Sequence, residues 1–252
     1  MVRNKGKKKE SLLDITLGER MLIFAKSISL ILIINYFFYR SLWVIPFLLL
    51  PGVIYFRMEK ETLLAKKRGC AREQFKELML LVSTGQKAGY SAENAFLSSF
   101  GDMELLYGSD SIICKMLQGL RVGRENHTDF SELWYQMGES IKIPEIQEFA
   151  VVYGISCKSS GNAAAIMEKT AGIIIQKIET EKEIEVMISA RKLEQKIMNA
   201  MPFLIMLYIS ITSPSYFNGL YHSGVGAVIM TFCLSIYLGA YLLSRKITDI
   251  EV

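Results

Sequence analysis

ARKLEQKIMNAMPFLIML, residues 190–207, begins as a charged amphipathic helix and ends as an apolar one, with no glycine between the two halves. The reading of the whole chain turns on this stretch. From residue 197 to residue 244 there is no Asp, Glu, Lys or Arg, and only the polar run Ser213-Pro214-Ser215-Tyr216-Phe217-Asn218-Gly219 interrupts the apolar sequence. A membrane-spanning helix needs about 20 predominantly apolar residues. The run therefore reads as two spans, residues 198–212 and 225–243. The first is short and completes its length from the amphipathic helix below it, where Lys196 can keep its stem on apolar surface and its amine at the headgroups.

A second apolar block, residues 21–39 and 41–56 on either side of Arg40, reads as another hairpin of spans. Lys26 interrupts the first of these. At the bilayer centre a lysine costs about 2.5–3.5 kcal/mol on insertion scales, whereas one turn inside the span end it reaches the interface. Pro46 and Pro51 are expected to kink the second span, which membrane helices tolerate when neighbours satisfy the freed carbonyls. A cleaved signal peptide is the competing reading, and it meets bulky Asn35-Tyr36-Phe37-Phe38-Tyr39 where small cleavage-site residues belong.

Orientation follows from the basic residues. Arg3, Lys5, Lys7, Lys8, Lys9 and Arg20 precede the first span; Arg57, Lys60, Lys66, Lys67 and Arg68 follow the second; Arg191, Lys192 and Lys196 precede the third; Arg245 and Lys246 follow the fourth. Only Arg40 and the neutral His222 fall on the other side. By the positive-inside rule both termini are cytoplasmic. The expected order is a basic segment (1–20), a transmembrane hairpin (21–56), a cytoplasmic helical domain (57–197), a second hairpin (198–243) and a cytoplasmic tail (244–252). The net charge of +4 is thus a topology signal, with no call for nucleic acid.

Cys70, Cys114, Cys157 and Cys233 are widely separated and form no C-x-x-C pair, so neither disulfides nor zinc are expected, and the four read as small apolar residues. Across the cytoplasmic domain apolar residues recur at helical spacing. Phe75, Leu78, Met79 and Val82 make one stripe; Ile112, Ile113, Met116, Leu117 and Leu120 a second; Phe130, Leu133, Trp134, Met137 and Ile141 a third; Ile146, Phe149, Ala150, Tyr153 and Cys157 a fourth. Each stripe buries one helix face. Punctuation separates them: Gly89-Tyr90-Ser91, Gly108-Ser109-Asp110, residues 123–128, Pro144 at a first helical position, and Gly161-Asn162. The fold class is all-α: an integral membrane protein with four transmembrane helices and a cytoplasmic bundle of about six helices.

Asn162 is placed to cap the last helix of that bundle. From there to Pro202 only Gly172 weakens the helix, giving ~60 Å if straight. Lys177 and Glu181 stand at i,i+4 spacing. Val186, Ala190, Leu193, Ile197 and Ala200 keep an apolar seam running toward the bilayer.

Three further segments carry a resemblance: KAGYSAENAF (87–96), LQGLRVGRENHTDFSELWYQMGESIKIPEIQEFA (117–150) and KSSGNAAAIMEKTAGII (158–174). Their order and spacing, leading into the charged helix and two terminal spans, resemble the type II secretion system F domain. With the additional N-terminal pair of spans the chain is similar to the inner-membrane platform proteins of Tad (tight adherence, Flp) pili. The resemblance covers residues 70–243, with a single copy of the F domain where general secretion members carry two. It implies a non-enzymatic scaffold of the cytoplasmic membrane that receives conformational work from a cytoplasmic assembly ATPase. Its other partners would be a paralogous platform protein and pilin subunits, in a homo- or hetero-oligomer used for pilus biogenesis or protein secretion.

The chemistry missing from the sequence agrees with that expectation. Neither Gly85-Gln86-Lys87-Ala88-Gly89 nor Gly119-Leu120-Arg121-Val122-Gly123 has the spacing or the Lys-Ser/Thr end of a phosphate-binding loop. With only His127 and His222, a Ser-His-Asp triad or a histidine metal site lacks material. No catalytic residue, metal or cofactor is assigned. Glu179, Glu181, Glu183 and Glu185, like Asp102 with Glu104, read either as a solvated helix face or as a cation site. The turn bearing Arg121, Arg124 and Glu125 reads as a solvated turn or as a surface for acidic residues of the ATPase. Ser223, Ala227, Thr231, Ser235 and Gly239 repeat every four residues on the last span, a face on which a helix of this chain or of another can approach closely. A transporter subunit, which would need intramembrane ionisable or unwound segments, and a membrane signalling protein, which would ordinarily show a larger outer domain, are the alternatives.

Overall fold

The structure is a computed structural model that describes residues 15–39, 45–158, 163–213 and 224–248. Among the described residues it is all-helical, with no strand. The nine helices there are α1 (Leu17–Phe38), α2 (Ile45–Lys87), α3 (Ala92–Ser98), α4 (Phe100–Tyr107), α5 (Ile112–Glu125), α6 (Phe130–Ile141), α7 (Pro144–Lys158), α8 (Ala163–Thr212) and α9 (Gly224–Thr248). The chain divides into two compact units. One includes Thr62–Thr180; the other includes Thr16–Glu61 and runs on from Glu181, so that α2 and α8 each contribute to both.

In the unit built on Thr62–Thr180, the ends of the helices follow from local chemistry. Ser91 Oγ accepts the Asn94 amide to cap α3, Ser111 Oγ accepts the Cys114 amide to cap α5, and Asp129 Oδ1 accepts the Ser131 amide at 2.8 Å to cap α6. Gly89 and Gly108 take positive φ, 95° and 81°, at the turns after α2 and α4, where a side chain would be strained. Lys142 closes α6 in the left-handed region, and Pro144 opens α7 two residues later.

Burial makes a single core of these faces. Phe75, Leu78, Met79 and Val82 of α2 are all buried, as are Ile113, Met116, Leu117 and Leu120 of α5 and Ile146, Phe149, Ala150 and Tyr153 of α7. Trp134 of α6 sits fully buried among rings: its centroid lies 5.6 Å from Phe75, 5.2 Å from Phe96, 5.9 Å from Phe149 and 6.4 Å from Phe130. Edge-on and tilted ring pairs at such distances are favoured over flat sandwiches by the ring quadrupole. Glycines set the closest helix approaches. A Cβ on Gly138 of α6 would lie 3.1 Å from the backbone nitrogen of Gln147, and one on Gly123 of α5 would collide with Leu133. Met167, Ala171, Ile174 and Ile178 of α8 complete this core.

The second unit gathers α1, the first part of α2, the last part of α8, and α9. Ile34, Phe38 and Tyr39 bury against Met230 and Leu234, with Phe203 and Met206 of α8 packed on the same cluster. Two helices are long and apolar enough to cross a membrane, Leu17–Phe38 and Gly224–Ile247, and neither is a buried core helix: 22% and 17% of their most apolar windows is buried. The charge-free parts of α2 and α8 among the described residues, 45–56 and 197–212, fall short of a full span.

Candidate functional site

The most unusual chemistry in the unit Thr62–Thr180 is a carboxylate with almost no access to water. Glu145 is the second residue of α7 and 1% exposed. Its place in the first turn is a favourable one for an anion, because the free amides of a helix start carry partial positive charge. Arg72 of α2 donates from Nη2 to Glu145 Oε1 at 2.8 Å, and Lys177 of α8 brings Nζ within 3.4 Å of the same oxygen. Lys177 also reaches Glu148, one turn further along α7, at 3.2 Å. Burial opposes the lysine's charge, but the hydrogen bond to Glu148 and the charges of Glu145 and Glu148 outweigh it, and its pKa is raised. A neighbouring cluster repeats the theme: Lys76 of α2 lies 3.6 Å from Glu73, 3.5 Å from Glu77 and 3.6 Å from Glu179 of α8.

These ion pairs join α2, α7 and α8: Glu145 Oε1 is held by two cations while the buried Oε2 has no hydrogen-bond partner, so the carboxylate is costly in any arrangement of the helices that withdraws those cations. Among the described residues no group of three or more His, Cys, Asp or Glu side chains converges on a point that could hold a metal ion.

At the C-terminal end of α5 one arginine is held by side chains of α3. Arg124 Nη1 donates to Asn94 Oδ1 at 3.1 Å and its Nε lies 4.0 Å from Glu93, whose other oxygen accepts from Tyr153 at 3.4 Å. Burial first, then Cys157 and Glu93, pushes the Tyr153 phenol far above its ordinary range. Arg121 and Glu125 are exposed. Both guanidiniums are exposed, and Arg124 in addition ties α5 to α3. Of the turn positions, Gly89 takes its positive φ, Ser91 caps α3 and Pro144 begins α7, while Gly161 and Asn162 lie outside the described residues.

On α9 the small-residue face is mostly exposed. Ala227, Ser235 and Gly239 are open, a Cβ on Gly239 would meet nothing within 4 Å, and Thr231 alone is half-buried, its Oγ1 sharing a hydrogen bond of 2.8 Å with the Oη of Tyr39, the residue that caps the end of α1. Ser223 lies outside the described residues. Lys26 is paired, lying 2.9 Å from Glu59 Oε1 of α2. Between α1, α2, α8 and α9 is an apolar crevice of about 140 Å³, lined by Ile31, Ile34, Tyr55, Phe203, Tyr237 and Leu238 among others. Polar links at one end join α8 to α9: Gln195 donates to Ser244 at 2.9 Å and Tyr237 to the Asn199 carbonyl at 3.0 Å.

The cysteines do not behave alike. Cys114 is buried as a small apolar residue, whereas Cys70, Cys157 and Cys233 are exposed, which corrects the placing of Cys157 on the buried stripe of α7. The spacing of Lys177 and Glu181 gave no hint of Glu145 and Glu148, because partners 32 and 29 positions away in sequence leave no local pattern. Compared with protein-family models, curated proteins and solved structures, the chain finds no match.

Proposed function

We propose that the chain is a polytopic platform protein of the cytoplasmic membrane, the scaffold of a Tad-type pilus or a related secretion machine, on which a separate cytoplasmic ATPase acts to drive pilin assembly. In this reading α1, the start of α2, the end of α8 and α9 are four spans, both termini are cytoplasmic, and the unit Thr62–Thr180 is the cytoplasmic domain.

The observation that carries the reading is the composition of α8. Its first turns bury Met167, Ala171, Ile174 and Ile178 in one core, and its last turns place Phe203 and Met206 on the other. A single helix with Pro202 as its one interior proline serves both units. A helix so placed carries a push or a twist without needing a ligand of its own. Further support comes from the outer faces of α1 and α9. Leu22, Phe24, Leu32, Val228, Phe232 and Leu243 are all more than half exposed, as side chains facing lipid would be. Lys26 pairs with Glu59, and pairing is the usual condition for a charge beside lipid. The F-domain resemblance of 87–174 supplies the class of machine.

The test is affinity purification from detergent-solubilised membranes. The reading expects the chain in the membrane fraction, an ATPase with a phosphate-binding loop retained with it, no nucleotide turnover by the chain alone, and loss of surface filaments or secretion on deletion of its gene. Recovery from the soluble fraction, or nucleotide hydrolysis that disappears on mutating this chain, would overturn it.

A further inference from the structure

We propose that α8 pairs in parallel with α8 of a second copy of this chain, along a heptad seam that begins at Val186 and ends at Ile211. The parallel sense rests on the membrane placement proposed above, since two copies inserted the same way run α8 in the same direction.

The positions 186, 190, 193, 197, 200, 204, 207 and 211 alternate steps of four and three. Every one is apolar: Val186, Leu193, Ile197, Leu204, Leu207 and Ile211, with Ala190 and Ala200 between them. Every one is also exposed, the large side chains from 41% at Leu207 to 72% at Ile211. The inward face of α8 is a different one, carrying Gln195, Asn199, Phe203 and Met206, all of which contact α1 or α9. A sustained 3.5-residue repeat is the pattern two helices need to keep one seam in contact as they wind about each other. Lipid can cover the seam from Leu204 onward. It does not cover Val186, Leu193 and Ile197, which stand on the charged half of the helix among Arg191, Lys192, Glu194 and Lys196.

Three features identify the occupant as a second copy. Composition is the first: the three-step from 190 to 193 makes 190, 197, 204 and 211 the a positions and 186, 193, 200 and 207 the d positions. Ile197 and Ile211 at a, with Leu193 and Leu207 at d, are the choice that favours two parallel strands, Leu204 at a and Val186 at d being the departures from it. Area is the second. Six large side chains bury on the order of 100 Å² each, so a symmetric pair buries ~1,200 Å² in total, the lower end of what stable interfaces use. Charge is the third. In a parallel pair Ser189 faces Glu194 and Lys196 faces Met201 across the seam, so no like charges meet, and Pro202 falls at the outermost position, away from the contact.

The experiment places a photoreactive benzoylphenylalanine in the full-length chain in cells, at Leu193 or Ile197 on the seam and at Arg191 or Met198 off it. The off-seam pair are equally accessible controls, since Arg191 is 80% and Met198 69% exposed. After irradiation, the seam positions should give an adduct of twice the chain's mass containing only peptides of this chain, at least tenfold stronger than from Arg191 or Met198. Leu193→Glu should weaken the adduct from position 197 at least tenfold without lowering the amount of chain, because Leu193 supports no core in one copy alone. Equal yields from all four positions, adducts only with a different protein, or no self-adduct at all would overturn the proposal. Self-adducts from 193 and 197 in a chain that fractionates as soluble would uphold the seam and sink the membrane placement; a membrane-embedded chain without them would do the reverse.

Discussion

Replacing Arg72 by Met removes the shorter of the two cationic contacts on Glu145. Loss of one partner of a fully buried ion pair typically costs about 3–5 kcal/mol, because the other charge is left in a poor solvent; for exposed pairs the figure is about 0–1 kcal/mol. Glu145 is 1% exposed, Arg72 is 26% exposed, and Lys177 still stands 3.4 Å from the same oxygen. The expected cost lies between the two limits, at ~2 kcal/mol. Glu145→Gln keeps the shape and one acceptor while removing the charge, and the partly exposed Arg72 and Lys177 can then hydrate, so ~1 kcal/mol is expected. In the double variant the two losses overlap, with a coupling of ~1 kcal/mol. The assay is thermal unfolding of the full chain in detergent or nanodiscs, followed by tryptophan fluorescence, since one of the two tryptophans, Trp134, lies in the core of this unit. A loss of 2 kcal/mol in a domain of this size lowers Tm by about 8 °C. If the single effects add to within ~0.4 kcal/mol, Arg72 and Glu145 do not act as a pair and the reasoning about the junction fails.

The other expectations concern the same unit. Trp134→Ala should cost ~3–5 kcal/mol by opening a cavity among Phe75, Phe96 and Phe149, and Trp134→Phe far less; both are read from the unfolding midpoint by far-UV circular dichroism, since these variants lack the Trp134 reporter. Gly138→Ala should lose ~1–3 kcal/mol despite alanine's better helix propensity, because the added Cβ meets the α7 backbone at Gln147 and overpacking there moves a helix. The pKa of Lys177 is raised in the fold, so its contribution is fully present below the ordinary lysine value of 10.5 and is lost as pH rises through the higher folded value. Unfolding midpoints should therefore hold between pH 7 and pH 9 and fall above about 10.5, and Lys177→Met should reduce that alkaline loss.

The core of the helical unit was legible because burial writes a 3.6-residue period into sequence. Phe75, Leu78 and Met79 on α2, and Phe130, Trp134 and Ile141 on α6, stand where their spacing placed them. Helix starts were legible wherever a cap or a proline announces them, as at Ser91 and Pro144. The continuity of α2 was not. Arg57, Lys60, Lys66, Lys67 and Arg68 read as the end of a span, yet long straight side chains are good helix formers, and the helix runs through them from Ile45 to Lys87. The division of residues 92–107 into α3 and α4 was also not legible: each offers too few turns for a periodic stripe, although Phe96 and Met103 are fully buried. Cys157 sits at core spacing but near the end of α7, where it is exposed. The junction at Glu145 left no trace because charges 73 positions apart share no local pattern, and Arg124 looked like a free surface charge because Asn94 comes to it only through the fold.

In the function proposed above, α8 carries movement between the unit Thr62–Thr180 and the proposed spans, and Glu185→Pro interrupts that path. Glu185 is exposed, lies inside α8 and stands off the seam, so the change spares both cores. Proline there removes the bond to the Glu181 carbonyl and crowds it, at a cost of ~3 kcal/mol or more to helix continuity. The measurement is the number of surface filaments per cell in a strain whose only copy carries the substitution, with Glu185→Gln as the control and membrane level and ATPase co-purification checked in both. The account predicts normal insertion and normal association but no filaments for Glu185→Pro, and wild-type filament numbers for Glu185→Gln. Filaments at wild-type numbers from the proline variant would show that α8 is a tether and contradict the account.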